Sequence, residues 1–116
     1  MNKNDSILVR IMNELLKIYL SYGCEDVTIN FKKSDKMGLI SLEGSVEKID
    51  DAILRELQIS LNTPRRDDTE EYYYKLLGSD YSFELNLLDS MVDEGNVNYE
   101  GGKLKIKVMR KLEGGF

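Results

Sequence analysis

The sequence predicts an α+β fold: a two-layer α/β sandwich in which helices cover one face of a four-stranded mixed sheet. Three observations lead there. Apolar residues recur at helical spacing near the N-terminus and again in the middle of the chain. Two pairs of segments alternate apolar and polar residues, and a Gly-Gly step joins the second pair. The predicted order is α-β-β-α-α-α-β-β within a single domain spanning residues 1–116.

The first helix is expected from Ser6 to Tyr22. Leu8, Ile11, Met12, Leu15, Ile18, Tyr19 and Tyr22 form one apolar face, Asp5 or Ser6 caps the start, and Gly23 supplies a left-handed stop. Val27, Ile29 and Phe31 then alternate with Thr28, Asn30 and Lys32, the period of a half-buried strand. KSDKMG reads as a turn and GLISLEG as the partner strand. Ile49, Ile53, Leu54, Leu57 and Leu61 line the second helix, with Asp50 or Asp51 in its first turn. Pro64 lies in the polar connection TPRRDD. A third helix is expected from about Asp68 to Leu77, with Asp68 and Glu71 at capping-box spacing, and a fourth from about Ser82 to Val92. Val97 and Tyr99 alternate before Gly101-Gly102, and Leu104, Ile106 and Val108 after it, opposed by Lys103, Lys105 and Lys107. LEGGF, residues 112–116, reads as a frayed tail.

Composition narrows the function classes. The chain has no histidine, which removes the commonest general base and metal ligand. Its only cysteine, Cys24, forms no internal disulfide and reads as a small buried residue in a reduced, cytoplasmic setting. The N-terminus turns polar too soon for a signal peptide, and no apolar run is long enough to span a membrane. A net charge of −5 weighs against general nucleic-acid or anionic-membrane binding. These features weigh against most kinds of catalysis and lean toward a protein that is not an enzyme. Asp50, Asp51, Asp67, Asp68, Glu70 and Glu71 form an acidic set near expected helix starts, and are read as caps rather than metal ligands.

The element order resembles the ATP-binding domain of the GHKL superfamily, which includes gyrase-type ATPases, sensor histidine kinases and anti-sigma factor kinases. The stretch GSDYSFELNLLDSMVDEGNVNYEGGKLKIKV is similar to the closing segment of that fold, in which a glycine-rich loop opens a helix leading to a last hairpin. The resemblance implies three motifs. Glu14 matches a water-activating glutamate of the first helix, but the magnesium-binding asparagine expected four residues on is Ile18. Glu43 stands where an aspartate would read the adenine, followed out of step by Gly44. Gly78 fits the phosphate loop, whose later glycines are replaced by Asp80 and Ser82. A carboxylate ~4 Å from a phosphate at effective dielectric ~20 is repelled by about 4 kcal/mol per unit charge. Asp80 and Ser82 suit a helix N-cap instead.

The expected reading is therefore a regulatory or protein-interaction module with eroded nucleotide motifs and no cofactor. Glu14, Glu43 and Gly78 are the candidate nucleotide contacts of an alternative, an ATP/Mg-dependent regulatory kinase of the anti-sigma type. Tyr72, Tyr73, Tyr74 and Tyr81 are candidate interaction residues, because three consecutive tyrosines spread over roughly 200° of a helix and do not all bury. The stripe Lys103, Lys105 and Lys107, with Arg110 and Lys111 beyond it, reads either as protection of a sheet edge or as a docking surface for an acidic partner or an RNA backbone.

Overall fold

A computed structural model describes residues 1–63, 88 and 91–112. Its elements are helix α1 (Lys3–Ser21), strands β1 (Val27–Lys33) and β2 (Met37–Ser45), helix α2 (Asp51–Ser60), and strands β3 (Glu94–Glu100) and β4 (Lys103–Lys111). The protein is α+β, with one four-stranded antiparallel sheet in the order β1-β2-β4-β3. The expected third helix, the Pro64 connection and residues 82–87, 89 and 90 of the expected fourth helix lie outside the described residues; Leu88 is helical and buried, whereas Met91 and Val92, expected at the end of that helix, are not helical.

Helix α1 starts a turn earlier than its apolar period indicates. The Asn2 side chain accepts a hydrogen bond from Asp5 N–H at 2.8 Å, so Asn2 is the cap rather than Asp5 or Ser6. Helix α2 starts where expected, but Asp50 caps it through its backbone alone: its carbonyl accepts from Ile53 and Leu54, and its side chain makes no capping bond. At the last hairpin Gly101 and Gly102 have φ of 59° and 76°, the left-handed pair that a tight two-residue turn requires. Leu112, expected to begin a frayed tail, extends the ladder by donating to Lys36 O at 2.9 Å.

The sheet is antiparallel throughout, not mixed. Both hairpins are antiparallel by construction, which leaves only the junction between them open. The chain after β2 returns to the end of the sheet where β2 began, so β3 runs parallel to β2. Strand β4 then folds back and inserts between those two parallel strands, antiparallel to each.

One face of the sheet is buried. Ile40 and Leu42 of β2 and Leu104, Ile106 and Val108 of β4 point into a core shared with Leu8, Leu15 and Tyr19 of α1 and Leu57 of α2. Each such aliphatic side chain contributes about 1.5–3 kcal/mol by leaving water. Both described helices sit on this face, and glycines let them approach. A Cβ on Gly38 would lie 2.6 Å from Leu8 Cδ2, and one on Gly95 would lie 2.5 Å from Leu61 Cβ. A Cβ on Gly44 would meet Cys24 Sγ at 2.7 Å and the Tyr19 ring at 3.2 Å.

Strand β1 departs from its expected half-burial. Ile29 and Phe31 point to the helix side yet remain 38% and 45% exposed, because α1 rests on β2 and β1 lies at the rim of its cover. No helix among the described residues is long and apolar enough to cross a membrane.

Candidate functional site

The two faces of the sheet separate the residues that the sequence brought forward. Glu14 lies on α1 in the buried stripe with Ile7, Ile11 and Ile18, at i, i+4, i+7 and i+11. It is 4% exposed rather than solvated as a polar helix residue would ordinarily be. Lys17 Nζ lies 3.2 Å from its Oε1, while Oε2 is buried without a hydrogen-bond partner. Glu43 belongs to β2, whose neighbouring residues Leu42 and Gly44 both point toward the helices. Its own side chain therefore points the other way, to the open face. The two carboxylates lie on opposite sides of the sheet. Gly78, the third candidate contact, lies outside the described residues, as do Tyr72, Tyr73, Tyr74 and Tyr81.

Gly44 has a packing explanation. Its missing side chain makes room for Cys24 Sγ, the Asp26 carbonyl and the ring of Tyr19, whose hydroxyl sits 2.9 Å from both the Leu42 and Leu104 carbonyl oxygens and shares its proton between them. Burial pushes the Tyr19 phenol well above the ordinary tyrosine range. Cys24 is a free, buried thiol beside it, 3.4 Å from Asp26 O.

The lysine stripe is on the open face, but it guards no edge. Strand β4 lies between β2 and β3, so Lys103, Lys105 and Lys107 line the middle of the sheet. Arg110 is not part of the stripe. It has the parity of Leu104, Ile106 and Val108, is 1% exposed, and donates from Nη1 to Met91 O at 2.9 Å. It ties β4 to the segment entering β3.

Register sets the neighbours of each lysine. Lys105 lies between Glu43 and Asn98, Lys103 between Ser45 and Glu100, and Lys107 between Ser41 and Asn96. None of the three makes an ion pair among the described residues. Lys107 has only neutral neighbours across the strands and borders two shallow cavities. One, about 140 Å³, reaches Asn30 and Lys32; the other, about 360 Å³, reaches Met37, Leu39 and Met109 and is bordered by Glu94. Leu39 and Met109 face each other in register, and both are only partly buried. The open face thus joins a basic stripe to an apolar strip. No family model matches this chain, and no curated protein does.

Sequence reading missed Leu39 and Met109. The signal was available: in GLISLEG and KLKIKVMRK these residues are apolar at the parity that otherwise holds polar residues. Apolar residues on both faces of one row mark a place where the solvent face is only partly wet.

Proposed function

We propose that this chain is a non-catalytic regulatory module on a GHKL-like frame, with helices completing one layer over the sheet. It binds an acidic segment of a protein partner across the open face. The observation that carries this reading is the stripe Lys103, Lys105 and Lys107, in which Lys107 has only neutral neighbours across the strands, beside the apolar strip of Leu39 and Met109. On a chain of net charge −5, that stripe is a local positive field that attracts carboxylates, and the strip offers an apolar anchor site. The position of Glu14 and Glu43 on opposite sides of the sheet supports binding over nucleotide chemistry. An RNA-binding reading has less support, because no aromatic side chain of the described residues lies on the open face to stack a base.

The test has two arms. Titration with a synthetic acidic peptide carrying leucine anchors should shift the amide resonances of Leu39, Lys107 and Met109, and Lys107→Glu should weaken that binding about tenfold. A basic peptide of equal length should leave them in place. Calorimetry with Mg-ATP or ADP should give no binding tighter than ~100 μM, about −5.5 kcal/mol. Tighter nucleotide binding, or equal response to the basic peptide, would overturn the reading.

A further inference from the structure

The two edges of the sheet are treated differently. Along β3, the outward N–H and C=O of Gly95 and the N–H of Val97 are taken up by Gln58 of α2 and by Asn62 after it. Gln58 Nε2 donates to Gly95 O at 2.9 Å, and Gln58 Oε1 accepts from Val97 N–H at 2.9 Å. Asn62 Oδ1 accepts from Gly95 N–H at 3.1 Å, and its amide donates to Gly95 O at 2.8 Å. Side-chain amides there stand in for a further strand.

Among the described residues strand β1 has no such cover. Ser34 N–H donates to Met37 O at 2.9 Å, so Ser34–Met37 is a hydrogen-bonded pair of the hairpin. By alternation Lys32–Leu39, Asn30–Ser41 and Thr28–Glu43 are the others. Val27, Ile29, Phe31 and Lys33 therefore turn their N–H and C=O groups outward. Among the described residues nothing bonds to them. The edge runs from Val27 to Lys33 without proline, and it carries the exposed Ile29 and Phe31. Such an edge is a template for another strand.

We propose that β1 pairs with β1 of a second copy of this chain, antiparallel about a two-fold axis at Ile29. The occupant follows from charge. The segment EDVTINFKK begins with Glu25 and Asp26 and ends with Lys32 and Lys33. With Ile29 opposite Ile29, Val27 faces Phe31 and Thr28 faces Asn30. Asp26 then faces Lys32, and Glu25 faces Lys33. Every charged residue meets its opposite. Moving the axis by one residue to Asn30 puts Glu25 against Asp35 and Lys33 against Val27, losing the complementarity. Parity also agrees. The residues with outward backbone groups, Val27, Ile29, Phe31 and Lys33, meet one another or Glu25, so each central pair exchanges two ladder hydrogen bonds. Their side chains lie on the helix side, where Ile29 and Phe31 of both copies form one apolar seam. Lys33, already 2.7 Å from Asp5 in its own copy, meets Glu25 of the other at the end of that seam. The product is an eight-stranded sheet continuous across two molecules, an isologous dimer.

Sedimentation equilibrium over a concentration series tests this. The wild-type chain should reach twice its 13.4 kDa mass. Ile29→Pro removes an outward N–H that bonds nothing among the described residues and should weaken association by about tenfold or more. Lys32→Asp and Asp26→Lys should each do the same alone, by placing like charges opposite each other. Mixing those two variants should restore the dimer, since each supplies what the other lacks. The charge variants are at exposed positions, and far-UV circular dichroism checks that all variants fold. A chain that stays monomeric up to ~1 mM (about −4 kcal/mol) would overturn the proposal. So would a dimer indifferent to Ile29→Pro, or a mixture that fails to associate. A monomer whose Ile29 and Phe31 amides become protected only with an added extended peptide would assign the edge to a foreign strand.

Discussion

Tyr19 carries more of the fold than a residue at an apolar helical position ordinarily does. Its ring packs against Gly44, and its hydroxyl joins the two central strands at the Leu42 and Leu104 carbonyls, each at 2.9 Å. Removing that hydroxyl while keeping the ring should cost about 1 kcal/mol, the net worth of a typical buried hydrogen bond. Urea unfolding of Tyr19→Phe at neutral pH measures it. The pH dependence gives a sharper signature. Burial raises the folded-state pKa of Tyr19, whereas the unfolded chain titrates near ~10. The unfolded state therefore releases this proton first as pH rises. The contribution is fully present below the unfolded value and is lost progressively above it. Wild-type stability should fall between ~pH 9.5 and 11 more steeply than that of Tyr19→Phe. Tyr22, also raised by burial, is present in both and cancels from the comparison. Parallel curves would show that the phenol is solvated in the folded protein. The apolar period placed Tyr19 on the buried face of α1. It had no access to the hydroxyl's partners, which lie 23 and 85 residues away in sequence.

At the scale of elements, α2 does two jobs with two faces. Its apolar stripe was legible: Leu57 and Leu61 are fully buried, and Ile53 and Leu54 pack against the core. The polar pair Gln58 and Asn62 was not, because polar residues on a helix flank ordinarily read as solvated. Their amides each offer a donor and an acceptor, which is what an open strand edge needs. Asn62→Ala should lower stability by about 1 kcal/mol, since water replaces part of what the exposed edge loses. Adding Gln58→Ala should do more than add a second loss. It frees Gly95 and Val97 for intermolecular pairing, so light scattering in partly denaturing urea should rise well above that of either single variant. A double variant that stays clear under those conditions would show that the amides do not protect this edge. The same comparison explains why β1 was misread. Alternation of Val27, Ile29 and Phe31 specifies which side chains share a face, but whether a helix covers that face depends on strand order.

For the molecule as a whole, local pattern predicted both hairpins and their apolar faces, and the order of the strands lay beyond it. Nothing in KLKIKVMRK distinguishes a central strand from an edge strand, because Leu104, Ile106 and Val108 alternate with lysines in either place. Insertion of β4 between β2 and β3 is a property of the crossover, and it turns the lysine stripe from an edge guard into the middle of an open face. It also fixes where backbone protection should be found. Hydrogen exchange on a dilute, monomeric sample should be slowest in β2 and β4, which have neighbours on both sides. The two edges should differ. In β1, the Thr28, Asn30 and Lys32 amides bond inward and exchange slowly, whereas Ile29 and Phe31 exchange nearly as free peptides. In β3, Gly95 and Val97 also face outward, yet Asn62 and Gln58 hold their amides, and both should be protected. Equal, fast exchange at both edges would mean that α2 does not clasp β3 in solution. With rising concentration the Val27, Ile29 and Phe31 amides should slow, because β1 is the edge proposed to pair.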